Sequence, residues 1–143
     1  MVDIRLATDR DTEAIEALLR NAGLPTADLA RARPLFLVAI EGDSLVGVAG
    51  IERFGEDALV RSVAVVSPRR SQGVGRALIA QLEDRAKQDG AKQLILLTET
   101  AQAFFLRAGY GAIDRMEAPS AVRASEEFRS LCPQSATCLA KHL

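Results

Sequence analysis

The sequence predicts an α/β fold: one domain on a mixed, mostly antiparallel sheet flanked by helices. Three observations carry that expectation. The chain has 143 residues, one domain by length and enough to enclose a core. Strand-like apolar runs alternate with helical patterns in the order β-α-(α)-β-β-β-α-β-α-β. Three of those strands follow one another with only glycine-acid turns between them, which is the pattern of antiparallel hairpins.

Each element has its own reason. "VDIRLA", residues 2–7, alternates apolar and polar side chains and reads as a half-buried strand. Thr8 or Asp9 can cap the next helix, where Ala14, Ile15, Leu18 and Leu19 share a face and Gly23 is a stop. Pro25 and Pro34 bracket a weaker helical stretch at 28–33. Residues 35–41 form a strand, Gly42 and Asp43 a hairpin turn, and 44–54 a second strand, in which Gly47 and Gly50 mark a bulge or a close approach. Gly55, Glu56 and Asp57 turn the chain into a third strand, 58–66. Residues 74–89 are the strongest helix, with Leu78, Ile79, Leu82 and Ala86 at helical spacing and Gly90 after them. "KQLILLT", 92–98, is the short apolar run of a strand buried on both faces. A short helix at 101–108 closes at Gly109; a strand over 110–116, a helix over 121–131 and a last edge strand at 136–140 complete the chain.

Composition excludes several classes. Hydrophobic residues make up 48%, charged residues 26%, and the net charge is −1, so nothing marks a nucleic-acid binder. No apolar run approaches the ~18–20 residues of a membrane span, and "MVDIRLATDRD" lacks a signal-peptide core. These features read as a cytoplasmic protein. Cys132 and Cys138 are not needed as a disulfide in a chain of this size, and no metal-ligand spacing is present. His142, next to the C-terminal residue, is expected to be disordered.

The junction "VVSPRRSQGVGRALIAQLEDRAK", 65–87, holds the main chemical signal. A helix opening at 73–76 presents unpaired N–H groups and partial positive charge. Gly73 and Gly75 let a ligand reach that backbone. Arg70 and Arg76 add forked donors suited to phosphate. Together these make an anion site that suits a pyrophosphate. The same residues also fit a plain strand-to-helix turn with arginines in water. The GxxxxGK[ST] and GxGxxG phosphate motifs are absent.

"RSQGVG", 70–75, placed after "LVRSVAVV" and before "LILLT" and "AQAFFLRAGY", resembles the GNAT superfamily of N-acetyltransferases over essentially the whole chain. The resemblance implies acetyl-CoA as co-substrate and no metal. It implies that backbone N–H groups of Gln72, Gly73, Val74, Gly75 and Arg76, with Arg70 beside them, take the pyrophosphate. It also implies a bulged strand that splays from its neighbour, with Val63 and Val65 pairing the pantetheine arm. The Val63 N–H would face the thioester oxygen, where a fixed dipole stabilises the developing oxyanion. The usual tyrosine acid, four residues before the glycine of the turn, is replaced by Phe105, which would then only line the cofactor. Thr98 takes the place of a frequent asparagine and can assist proton transfer; Tyr110 is a fallback. Glu52 is the first candidate base and Glu99 the second.

The C-terminal pieces "TETAQAFF", 119–123, "EEF" and "LCPQSA" are similar to a subgroup of arsenic-resistance-associated N-acetyltransferases. That similarity implies a small primary-amine acceptor, an arsenic- or phosphinate-bearing amino acid analogue. Its anionic groups would want arginine, and Arg53, Arg61 and Arg123 are the candidates, with Arg115 a fourth. The two cysteines could grip a trivalent arsenical, but buried small hydrophobes are the plainer account. A protein or peptide acceptor, or a non-catalytic acetyl-CoA sensor, remain the alternatives. A homodimer is a further expectation.

Overall fold

In the computed structural model, which describes residues 2–70 and 72–143, the N-terminal alternation forms β1, Asp3–Leu6. A 3₁₀ turn, Asp9–Asp11, leads into α1, Thr12–Asn21. Asp11 fixes that entry. Its Oδ2 accepts from the Thr8 N–H at 2.7 Å, and its two oxygens take the Arg5 guanidinium at 2.8 and 3.1 Å. The i, i+3, i+4 spacing of Ile15, Leu18 and Leu19 gives α1 its buried face. One further turn, α2, spans Leu29–Ala32.

The hairpin signals produce β2, Leu35–Glu41, β3, Ser44–Phe54, and β4, Asp57–Val65. The long amphipathic stretch is α3, Val74–Gln88, followed by β5, Gln93–Thr98, and α4, Gln102–Arg107. Then come β6, Gly111–Ala112, α5, Ser120–Arg123, one π turn at Glu127–Leu131, and β7, Thr137–His142.

The strands form one seven-stranded sheet in the order β1-β2-β3-β4-β5-β7-β6. Its pairs are antiparallel except β4 with β5. A parallel pair needs a crossover, and α3 supplies it. Period-two alternation splits the core between the two faces. Leu37, Ala39, Ala58 and Val60 meet α3 on one side. Val38 and Val48 meet Ile15 and Leu19 of α1 on the other, where Leu59 and Ile95 also meet Val122 and Phe128. Gly47 leaves room on the sheet for side chains of α3. A Cβ there would lie 3.0 Å from Leu78 Cδ1 and 3.2 Å from Val74 Cγ1.

Three expectations need correction. The strand over 110–116 shrinks to Gly111–Ala112, because Asp114 caps a 3₁₀ turn at Arg115–Glu117 and accepts from the Met116 N–H at 2.8 Å. The helix over 121–131 divides into α5 and the π turn. The last strand is internal, between β5 and β6, and carries His142 in register with Gln93, so His142 is ordered by pairing.

Candidate active site

The site opens where β4 and β5 part. They pair only from Asp57 with Gln93 to Leu59 with Ile95. Beyond that point β4 stays with β3 as far as Val65, and β5 stays with β7 as far as Thr98. The gap is a cleft of about 980 Å³, lined by residues 60–65 on one wall and 96–101 on the other.

A bulge drives the parting. Val48 faces Ala64 and Gly50 faces Arg61, so Ala49 alone spans both Ser62 and Val63. The extra residue sharpens the local twist and takes β4 away from β5. Ser62 absorbs it with φ +57°, a left-handed conformation unfavourable for a side chain with a Cβ. Such strain persists only where the surroundings hold it, and here the Ser62 hydroxyl oxygen accepts from Arg61 Nε at 3.1 Å.

Along β4 the cleft changes character. Past Val65 it meets the start of α3, where Gly73 is the N-cap with φ +85°. Gly73, Gly75, Arg69, Arg70, Arg76 and Arg107 line this end. The Phe104 ring lies 3.5 Å from where a Gly75 Cβ would sit, so the ring flanks bare backbone. Arg70 Nε donates to the Val65 carbonyl at 3.0 Å, and Gln72 Nε2 to the Pro68 carbonyl at 3.3 Å. Arg69 pairs with Glu41. Val74 is buried under β3, so only its backbone is on offer. The residues present fit a diphosphate: a helix N-terminus with a bare glycine approach and several guanidinium groups.

The other end backs onto a buried cluster of one guanidinium and three carboxyl groups, of which Arg61 and Glu127 line the cleft. Arg61, expected to bind an acceptor anion, is buried among carboxyl groups instead. Its Nη1 donates to Asp28 at 2.5 Å and Glu52 at 2.7 Å, and its Nη2 to Asp28 at 2.7 Å. Glu127 stands 3.7 Å from its Nε. Burial works against the charge of Asp28, but the Arg61 fork overrides it and holds the Asp28 carboxyl below its usual range. Burial likewise disfavours the Arg61 cation, and Asp28, Glu127 and Glu52 together raise its pKa. Glu127 behaves oppositely. Burial, reinforced by Asp28 and Glu52 and only partly opposed by Arg61, pushes its carboxyl up to about 7.

Glu127 is the residue that the sequence reading missed, although it stands in the quoted "EEF". In a straight α-helix over 121–131 it would fall roughly 140° from Val122, facing out. The helix instead breaks at Ala124 and Ser125 before the π turn begins, and Glu127 is only 4% exposed.

The remaining expected residues divide between cleft and elsewhere. Val63, Val65, Thr98, Glu99 and Phe105 line the cleft. Ser62 and Val63 lack a β3 register partner of their own. Thr98 Oγ1 accepts from the Ala101 N–H at 3.0 Å, which starts α4. Phe105 stacks edge-on against Phe104 and Tyr110. Tyr110 lies in the α3 core, where burial and Glu83 raise its pKa, so it makes a poor acid. Arg53 is turned to the Gly55 and Asp89 carbonyls, Arg123 to Ala118, and Arg115 to Phe128 and Pro133. These three do not line the cleft. Both cysteines are free thiols; burial pushes Cys132, which lines the cleft, up to about 12, and Cys138 up to about 11. Among the described residues, no helix is long and apolar enough to cross a membrane.

Known proteins share this architecture. An N-acetylglutamate synthase from Neisseria gonorrhoeae, solved with coenzyme A and N-acetyl-glutamate, superposes with a TM-score of 0.85 at 22% identity, covering 100% of this chain and 35% of that one. A Mycobacterium tuberculosis protein in complex with CoA gives 0.82 at 22% identity over 99% of both chains. An uncharacterized N-acetyltransferase of Chlorobaculum tepidum is 30% identical over 88 residues, 61% of this chain and 56% of that protein. The chain therefore spans little more than half the length of that curated relative. The model of the acetyltransferase (GNAT) family matches residues 4–110, most of the chain, and the chain belongs to that family.

Proposed function

We propose that this chain is an acetyl-CoA-dependent N-acetyltransferase acting on the primary amine of a small molecule. One observation carries the proposal: the cleft between the parted strands runs from the strand bulge directly to the glycine-flanked, arginine-lined start of α3. An extended thioester with an anionic tail matches that shape and that charge. The backbone N–H groups of Gln72, Gly73, Val74, Gly75 and Arg76, with the Arg70 and Arg76 side chains, would hold the diphosphate. Val63 and Val65 would pair the extended arm, and the Val63 N–H would stabilise the oxyanion as the amine attacks. No side-chain acid is required on this account, since a thiol of pKa near ~8.5 makes a tolerable leaving group.

For the acceptor, the proposal is an amino acid or its arsenic- or phosphinate-bearing analogue. The "LCPQSA" and "EEF" similarities support it. So does the bound N-acetyl-glutamate of the Neisseria gonorrhoeae synthase. Thermal unfolding with and without acetyl-CoA, followed by thiol release against L-glutamate, a phosphinate analogue of glutamate and an alanine-ended peptide, tests this. At a hundredfold excess over Kd, acetyl-CoA stabilises by ~2.7 kcal/mol. No stabilisation overturns the proposal. Binding without thiol release points to a sensor, and release with the peptide alone to a protein acceptor.

A further inference from the structure

Glu127 carries more information than the acetyltransferase reading uses. It lines the cleft, is 4% exposed, and its Oε2 has no hydrogen-bond partner among the described residues. Its nearest cation, Arg61, is 3.7 Å away at Nε, too far for a hydrogen bond, and that Nε already donates to the Ser62 hydroxyl oxygen. The other Arg61 donors reach Asp28 and Glu52. One guanidinium thus faces three carboxyl groups, and the one left without a donor is the one aimed into the cleft. A buried acceptor in that state is costly unless a donor arrives from outside.

A primary ammonium is such a donor, with positive charge and three N–H groups. We propose that Glu127 binds the ammonium of the acceptor and removes its first proton, so that it is the catalytic base of acetyl transfer. The proposal rests on the acetyltransferase reading and adds the group that prepares the nucleophile. Glu52, the base expected from the sequence, is placed less well. It is not among the residues that line the cleft, and its Oε1 already accepts from Arg61 Nη1 at 2.7 Å.

The groups around Glu127 are Arg61 from β4, Glu52 from β3, Asp28 from the loop before α2, and Cys132 just after the π turn. With its carboxyl at about 7, Glu127 is near the value that suits a base at neutral pH. The incoming cation favours its charged form. A proton then passes from the ammonium nitrogen to Glu127, and the freed lone pair forms the C–N bond at the thioester carbon. The C–S bond breaks with its electron pair on sulfur, the second nitrogen proton goes to that sulfur, and Glu127 returns its proton to water. The sum is one amide, one thiol and one released proton per turnover.

The test uses the full chain and two readouts. In protein labelled with ¹³C at the glutamate carboxyls, the resonance lost in Glu127→Gln identifies Glu127. Its titration midpoint is expected near 7 and should fall by about one unit in saturating methylammonium, but not in equal tetramethylammonium, which has no N–H. With whichever amine of the glutamate, phosphinate and peptide panel the wild type acetylates fastest, Glu127→Gln should lower kcat by ~10²–10⁴-fold. It should also abolish the rising limb of the pH profile, and Glu127→Asp should restore part of that limb. Acetyl-CoA should stabilise all three proteins equally. A midpoint indifferent to methylammonium, or a Glu127→Gln variant with the wild-type rate and pH profile, overturns the proposal. If no amine is acetylated, the carboxyl titration alone decides. If acetyl-CoA fails to stabilise the wild type, the acetyltransferase reading itself falls.

Discussion

At the scale of single residues, Arg61 and Glu127 exchanged the roles their types suggest. An arginine on a central strand near an anion site invites assignment as a ligand for the acceptor. Here its guanidinium neutralises Asp28 and Glu52 in the interior. Removing one partner of a buried pair leaves uncompensated charge, so Arg61→Met should lower stability by about 3–5 kcal/mol in urea unfolding. Arg61→Lys should recover little, because a single ammonium cannot reproduce the fork to both carboxylates. Adding Asp28→Asn to Arg61→Met should return part of the loss, since it removes one orphaned charge. If Arg61→Met unfolds at the wild-type urea midpoint, the network is not a structural element. The sequence shows only part of this. Glu52 and Arg61 are nine residues apart across the expected β3–β4 hairpin, but Asp28 and Glu127 are distant from them in the chain and from each other, and only the tertiary fold brings those two in.

At the scale of elements, the legible parts were those whose pattern and packing agree. The hairpins β2–β3–β4, the helix α3 and the apolar β5 lie within a residue or two of their expected limits, because hydrophobic period and turn chemistry pointed the same way. The stretch after Tyr110 pairs with β7 only over Gly111–Ala112 and stops short of the expected Met116. Asp114 instead captures two residues of backbone locally, and local capping outcompetes an edge strand. The two strand glycines flagged as a bulge or a close approach separate in role. Gly50 sits beside the bulge, opposite Arg61, while Gly47 admits α3. Gly47→Ala must push against Leu78 and Val74, which are held by the helix, and should lower stability by about 1–3 kcal/mol. Because Val74 opens α3, the same variant should weaken acetyl-CoA binding, which calorimetry would show. Unchanged affinity would mean that the start of α3 is positioned by the loop and not by its seat on the sheet.

At the scale of the whole molecule, two carboxyl groups give opposite slopes to the dependence of stability on pH. The Arg5 guanidinium and the Thr8 N–H hold Asp11 down at about 2, well below its ordinary value. The folded chain thus keeps Asp11 ionised where the unfolded chain has begun to protonate it. Its contribution is full above pH ~4 and is lost as pH falls toward 2. Glu127 has the reverse sign. With its carboxyl at about 7 in the fold and near ~4.3 in the unfolded chain, the fold holds a proton that the unfolded state has released. Stability therefore declines as pH rises from ~4.3 to ~7 and is level beyond. Together the two groups place their joint optimum near pH 4–5. Glutamine resembles the protonated carboxyl in shape and stays neutral, so Glu127→Gln should remove the decline. Its Tm should match the wild type near pH 4.5, pull ahead between pH 5 and 7, and stay higher by ~10 °C at pH 8. Asp11→Asn should lower Tm at neutral pH and flatten the acid limb without touching the other. Melting curves by circular dichroism from pH 3 to 9 resolve both limbs. Parallel curves for wild type and Glu127→Gln would mean that the Glu127 carboxyl titrates normally in the fold. A gap that opens between pH 5 and 7 would identify Glu127 as the group that weakens the fold at neutral pH.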